Sequence, residues 1–250
     1  MKDGLPQTIY LKDYKVSAFL VDSTDLVFEL GDTQTKVTTS LAVRRNSASD
    51  DQTGAFELNR KGDVELQWIE VDGRRLEQAE YSLTDDLLSL HNLPASCQVK
   101  TEVLIQPQLN TSMMGLYRSR TMYCTQCEAE GFRRITFFPD RPDIMSVFTV
   151  KVIADKATYP VLLSNGNPIE RGDLDGGRHF VTWHDPFKKP SHLFALVAGT
   201  LSVVEDSFTT VTGRKIPLQI FVEEKDLDKC AHAMLSLKNS MRWDEQVYGR

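Results

Sequence analysis

The chain has 250 residues, 41% of them hydrophobic and 26% charged, with 35 Asp and Glu against 29 Lys and Arg for a net charge of −6. Ordinary apolar content and small net charge exclude an intrinsically disordered chain. The absence of a basic excess excludes a strongly cationic nucleic-acid binder, and no apolar run approaches the roughly 18 residues of a membrane-spanning helix.

Met1-Lys2-Asp3-Gly4 leads into polar sequence with no signal-peptide pattern. Cys97, Cys124, Cys127 and Cys230 are too few for a disulfide-stapled scaffold of this length. Together these features predict a cytoplasmic globular protein with free thiols, built as one large or two smaller domains.

Along the chain, period-two alternation predicts strands over 15–21, 26–30, 36–43, 64–71, 97–105, 145–153, 178–183 and 193–201. Within 64–71 the apolar positions change phase, which predicts a bulge. Turns are expected at Asp22-Ser-Thr-Asp25, Gly31-Asp32, Asp72-Gly73, Asn165-Gly-Asn-Pro168 and Asp175-Gly-Gly177. Short strands at intervals of about ten residues predict antiparallel sheets packed as a sandwich, so the fold class is mainly β. No G-x-G-x-x-G turn or long crossover helix supports a parallel α/β sheet.

After about Leu201 the pattern changes. A polar stretch over 204–210 precedes one more strand over 216–222, and helical spacing then runs over 226–248. Leu227, Cys230, Ala231, Met234, Leu237 and Met241 form its apolar stripe, with Asp226 or Glu224 as N-cap and Gly249 beyond its end. One strand and one amphipathic helix cannot build a core of their own. The domain reading is therefore a β domain over 1–200 and an incomplete second domain over 201–250.

Several patterns invite chemistry. Cys124-Thr-Gln-Cys127 is a C-x-x-C, but it sits in strand-rich sequence and is followed by Glu128 and Glu130, which raise thiol pKa values. Cys97 and Cys230 are isolated and offer no second ligand pair for zinc. The histidines (His91, His179, His184, His192 and His232) include no H-E-x-x-H and read as packed or surface residues. G-x-S-x-G does not occur. Arg171-Gly-Asp173 reads as a hairpin turn, and Asn110-Thr-Ser112 matches a glycosylation acceptor pattern that carries no meaning without secretion.

The segment from Tyr123 to Asp143 is richest in function-bearing groups. It places Gln126, Glu128, Glu130, Arg133 and Arg134 before an aromatic-Pro-Asp corner, Phe138-Pro139-Asp140-Arg141-Pro142-Asp143. Carboxylates and an amide beside a glycine can receive a cationic group, since a carboxylate pairs strongly with an ammonium where water is excluded. Equally, Glu128 or Glu130 can pair with Arg133 or Arg134 as an ordinary surface loop.

This stretch resembles the aminopeptidase N family of zinc metallo-aminopeptidases, whose members carry a Gln-x-Glu, a basic residue and an aromatic-Pro-x-Asp corner. The likeness extends through Phe148-Thr-Val-Lys151, the segments beginning at Pro160 and Trp183, and Lys238-Asn-Ser-Met-Arg-Trp243 as far as Tyr248-Gly249. The resemblance implies a saddle-like N-terminal β domain followed by the start of a thermolysin-like catalytic domain. It implies that Glu128 binds the free α-amine of a peptide and that Gln126 lies beside it near the first side-chain pocket.

The family's G-A-M-E-N segment, H-E-x-x-H helix and third zinc ligand have no counterpart in these 250 residues. The resemblance thus implies an N-terminal portion that is inactive alone, with no zinc bound to this chain and zinc in the full-length parent. Its partners would be peptides with a free N-terminus and the parent's remaining catalytic and C-terminal domains. The alternative is a stand-alone β-sandwich module with an acidic amine-binding pocket.

Overall fold

The computed structural model describes residues 8, 10–51 and 54–249; the Met1–Gly4 stretch lies outside them. Among the described residues, seventeen strands and one α-helix run in chain order. The first eight strands are β1 (Phe19–Glu29), β2 (Thr35–Arg45), β3 (Phe56–Asn59), β4 (Glu65–Val71), β5 (Arg74–Arg75), β6 (Tyr81–Leu83), β7 (Leu87–Leu90) and β8 (Ser96–Ile105). Next come β9 (Gly115–Ser119), β10 (Met122–Gln126), β11 (Met145–Asp155), β12 (Val161–Ser164), β13 (Asn167–Asp173), β14 (Arg178–Pro190) and β15 (Leu196–Gly199). The last elements are β16 (Ser202–Thr209), β17 (Lys215–Val222) and α1 (Cys230–Tyr248).

An eight-stranded sheet ordered β13-β14-β11-β1-β2-β8-β4-β5 is the largest unit. A four-stranded sheet, β12-β15-β10-β9, and a three-stranded one, β3-β7-β6, complete the β architecture before residue 200. Alternation decides which face each strand buries: Leu26 and Phe28 on β1, Val37 and Leu41 on β2, Val99 and Val103 on β8, Val150 and Val152 on β11. These share one core with Leu116, Tyr123, Leu162 and Leu196 of the four-stranded sheet and with Phe56, Leu58, Leu88 and Leu90 of the three-stranded one. The mainly β class and the predominance of antiparallel pairing agree with the sequence. One pairing differs: β1 and β11 run parallel, from Ser23 opposite Val147 to Glu29 opposite Ile153.

The expected bulge within 64–71 is present, with the β4–β8 register shifting between Leu66 and Trp68. The expected turn at 22–25 is not a turn. β1 continues through it and absorbs the polar run as a bulge between Val21 and Ser23. The extra residue moves the buried positions from Phe19 and Val21 to Thr24, Leu26 and Phe28. The polar residues there find partners: Asp22 pairs with Arg44 and Lys188, and buried Thr24 hydrogen-bonds Ser146 at 2.8 Å. Arg171-Gly-Asp173 likewise lies in β13 rather than in a turn, and the chain reverses after it around Asp175–Gly177.

Beyond residue 200 the expected polar stretch is itself a strand, β16, paired along its length with β17. Phe208 and Leu218 of this hairpin and Met234 of α1 form a small cluster of buried residues, joined by Val204, Ile216, Ile220 and Met241. The segment therefore has a miniature core separate from the large one, contrary to the expectation that it could build none. The helix starts at Cys230 after a 3-10 turn over Glu224–Lys229, without a side-chain cap from Asp226 or Glu224. Gly249 stands at its end with φ 81°.

Candidate functional site

β10 delivers the Gln-x-Glu motif. Tyr123 on this strand is buried, and its hydroxyl donates to the Gly31 carbonyl at 2.9 Å. Thr125 binds β15 twice: its hydroxyl donates to the Leu196 carbonyl at 3.3 Å and accepts the Leu196 N–H at 2.8 Å. Gln126, paired with Gly115 of β9, is the last strand residue, so Cys127 and Glu128 leave the sheet from a fixed point.

The chain then turns back on itself. The Gly131 N–H donates to the Cys127 carbonyl at 2.8 Å, and the Arg134 N–H donates to the Gly131 carbonyl at 3.0 Å. Gly131 is required for this approach, since a Cβ there would lie 2.3 Å from the Gln126 carbonyl oxygen and 2.8 Å from the Cys127 Cα. Opposite it, Gly115 adopts φ 75° with the Gly131 carbonyl against its own backbone. The peptide between Glu128 and Ala129 is cis.

Below the turn the fold is rigid and apolar. Cys127 and Phe132 are buried while Glu128, Ala129 and Glu130 are exposed. The Phe132 ring meets Phe138 at 5.0 Å, Phe194 at 5.2 Å and Phe148 at 6.1 Å, each edge to face. An exposed acidic tip thus rides on a base of four interlocked aromatic rings.

The two glutamates of the tip differ. Glu130 pairs with Arg133 at 3.3 Å. Among the described residues no hydrogen bond or ion pair engages the Glu128 carboxylate. Gln126 braces this geometry, its amide Nε2 donating to the Glu128 backbone carbonyl at 3.2 Å. The structure therefore brings both sequence-chosen residues together, with Gln126 acting on the backbone of Glu128. Of the ion pairs left open by sequence, Glu130 with Arg133 is formed. A hollow of about 190 Å³ lined by Lys61, Asn110, Leu116 and Arg134 opens beside the turn and includes neither Gln126 nor Glu128.

Both aspartates of the aromatic-Pro-Asp corner have structural partners that sequence reasoning did not supply. Asp140 binds Arg133 through its carboxylate at 3.0 Å. Asp143 pairs with Arg141 at 2.6 Å and accepts the Tyr14 hydroxyl at 2.9 Å. Burial alone would raise the Asp143 pKa, but hydrogen bonds from Arg141 and Tyr14 outweigh it and hold the carboxyl below its ordinary range.

The other candidate chemistry dissolves into packing. Burial raises the thiol pKa of Cys97 to about 11 and raises those of Cys124 and Cys127 as well, with the Asp140 charge adding to the effect at Cys127. Cys124 lies within a strand, away from the helix N-terminus that a redox dithiol uses. His179 is buried with Nε2 2.8 Å from the Tyr159 carbonyl, and His184 contacts Thr149. The Asn110 amide is consumed by the carbonyls of Met114 and Leu116. Among the described residues no group of three or more His, Cys, Asp or Glu side chains is placed to hold a metal ion, so the residues present do not fit a zinc site. No helix among them is long and apolar enough to cross a membrane.

Comparison with known proteins bears on the fold as a whole. The profile of the Peptidase M1 N-terminal domain matches residues 26–193. Aminopeptidase N of Caulobacter vibrioides is 46% identical over 250 residues, all of this chain and 28% of the relative. Aminopeptidase N of Escherichia coli is 43% identical over 244 residues, 98% of this chain and 27% of the relative. The crystal structure of Legionella pneumophila aminopeptidase A in complex with aspartic acid superposes with a TM-score of 0.92 at 34% identity, over 96% of this chain and 28% of that one. An M1 zinc metallopeptidase of Deinococcus radiodurans shares the fold, with a TM-score of 0.69 at 14% identity over 84% of this chain and 49% of that one. The chain thus spans little more than a quarter of the length of the curated relatives it matches.

Proposed function

Since this chain belongs to the M1 peptidase family and matches its N-terminal domain, we propose that it is the portion of a zinc aminopeptidase that anchors the free α-amine of a peptide. Residues 1–200 form the N-terminal β domain, and 201–250 begin the catalytic domain. On this reading zinc, its ligands and the general base are supplied by other parts of the full-length protein. Peptides with a free N-terminus are the substrates, and the remaining catalytic and C-terminal domains are the partners. Four free cysteines suit a reducing compartment, the cytoplasm.

One observation carries this reading: Glu128 is a carboxylate without a cation among the described residues, held at the tip of a braced turn, while its neighbour Glu130 is already paired. Once neighbouring domains exclude water, such a group binds an ammonium through a charge-assisted hydrogen bond. It rejects a chain interior that has no charge to offer, which makes the reaction exopeptidic.

The test uses the full-length protein. Glu128→Ala is expected to lower kcat/KM on alanyl or leucyl arylamides about 10- to 150-fold, matching the roughly 1.5–3 kcal/mol of a hydrogen bond to a charged group. The isolated 250-residue chain is expected neither to retain stoichiometric zinc nor to cleave these substrates. Parental activity in the isolated chain, or an unchanged kcat/KM in Glu128→Ala, contradicts the reading.

A further inference from the structure

Asp140 carries a carboxylate whose side chain is only 1% exposed, directly beneath the turn that presents Glu128. Its Oδ2 accepts the Arg133 backbone N–H at 3.1 Å and the Arg133 Nε–H at 3.0 Å. Its Oδ1 accepts the Ser191 hydroxyl at 2.5 Å. Its backbone carbonyl takes the remaining Arg133 contact at 2.9 Å, and its N–H donates to the Asn59 side chain at 3.1 Å. One residue thereby ties together the 3-10 turn Phe132–Arg134, the end of β3 and the 3-10 turn Ser191–Leu193.

Arg133 is the link to the surface. Its guanidinium stands between buried Asp140 and exposed Glu130. Its backbone carbonyl is also fixed, accepting the Lys61 N–H at 2.9 Å. The next residue, Arg134, donates its N–H to the Gly131 carbonyl, Gly131 donates to the Cys127 carbonyl, and Cys127 lies in sequence between Gln126 and Glu128, which the Gln126 amide braces. A buried ion pair is seldom the most stabilising way to fill such a space, since apolar side chains of similar volume do as well or better. What the pair supplies instead is direction, because both carboxylate oxygens and the guanidinium plane impose fixed angles.

We propose that Asp140 is the positioning residue for the amine-binding carboxylate. Through Arg133 it fixes the turn over 127–131 and occupies Glu130, leaving Glu128 as the carboxylate free to meet an ammonium. Ser191 acts in the same chain by orienting Asp140. The proposal rests on the reading of Glu128 as the amine anchor and adds the residues that hold it in place.

A double-mutant cycle in the full-length, zinc-loaded protein tests this on an alanyl arylamide. Asp140→Asn is expected to lower kcat/KM about tenfold, and Ser191→Ala, which removes one contact and leaves the ion pair intact, about threefold. In the Glu128→Ala background each is expected to change kcat/KM by less than about twofold, because the group being positioned is gone. Equal losses with and without Glu128 mean that Asp140 merely supports the fold, and they overturn the proposal, as does a folded Asp140→Asn protein with unchanged kcat/KM. If Asp140→Asn does not fold, Ser191→Ala decides by the same criteria. A Glu128→Ala protein with undiminished kcat/KM removes the anchor reading and the positioning claim together. Loss in Glu128→Ala with none in the other two variants removes the positioning claim alone.

Discussion

Glu128 and Glu130 carry the same carboxylate two residues apart, and their surroundings give them different tasks. Glu130 is spent on Arg133, whereas among the described residues no cation pairs with Glu128. The cysteines beside them are equally set by environment. Burial raises the Cys97 pKa from 9.0 to about 11 and lifts Cys124 and Cys127 above the same ordinary value, so little thiolate exists at neutral pH. Alkylation at Cys97 in the native chain at pH 8 is therefore expected to run at least about tenfold slower than that of free cysteine. The linkage has a definite sign. The folded-state pKa of Cys97 is raised, so its contribution to stability is complete below the unfolded value of 9.0 and is lost as pH rises through about 11. A rate profile at Cys97 with its midpoint near 9.0 and rapid modification at pH 8 contradicts this description.

At the scale of elements, the hairpin β16–β17 and helix α1 form a small unit. Its cluster has three buried residues, while Leu235, Trp243, Val247 and Tyr248 on the helix stay exposed. So small a core gives low local stability. Met234→Ala is expected to cost this unit about 2 kcal/mol, the low end for a buried Met, and to speed hydrogen exchange in α1 while β1, β2 and β11 exchange as before. Equal acceleration in those strands contradicts the separation of the two cores. Six strands of the large sheet, β1, β2, β4, β8, β11 and β14, are legible in the sequence because alternation records a buried face, whereas the exposed edge strands β5 and β13 are not. Gly115–Ser119 and Met122–Gln126 are not, since both are short and mix polar with apolar residues on half-covered faces. The bulge in β1 reads as a turn because Asp22-Ser-Thr-Asp25 has turn chemistry, and only partners remote in sequence, Lys188 and Ser146, reveal its strand role. The helix is legible from its stripe, though its first turn is 3-10 and lies outside α1.

Across the whole molecule, the large sheet shares its core with the four-stranded sheet, whose strand β10 carries the exposed acidic turn. Gln126 and Glu128 are proposed from resemblance and composition, and the structure adds the brace between them. The buried contacts of Asp140 with Arg133, Ser191 and Asn59 are not, because they join segments up to 81 residues apart that no local pattern connects. The acidic balance of −6 gives no hint of the proposed site, which rests on the surroundings of Glu128 rather than on net charge. The central claim is that Glu128 recognises a protonated amine, and Glu128→Gln isolates it by keeping shape and removing charge. The direct measurement is the ratio of kcat/KM for an alanyl arylamide to that for its des-amino analogue, in the full-length wild type and in Glu128→Gln. The ratio is expected to fall at least about tenfold in the variant; an equal ratio in both proteins contradicts the account.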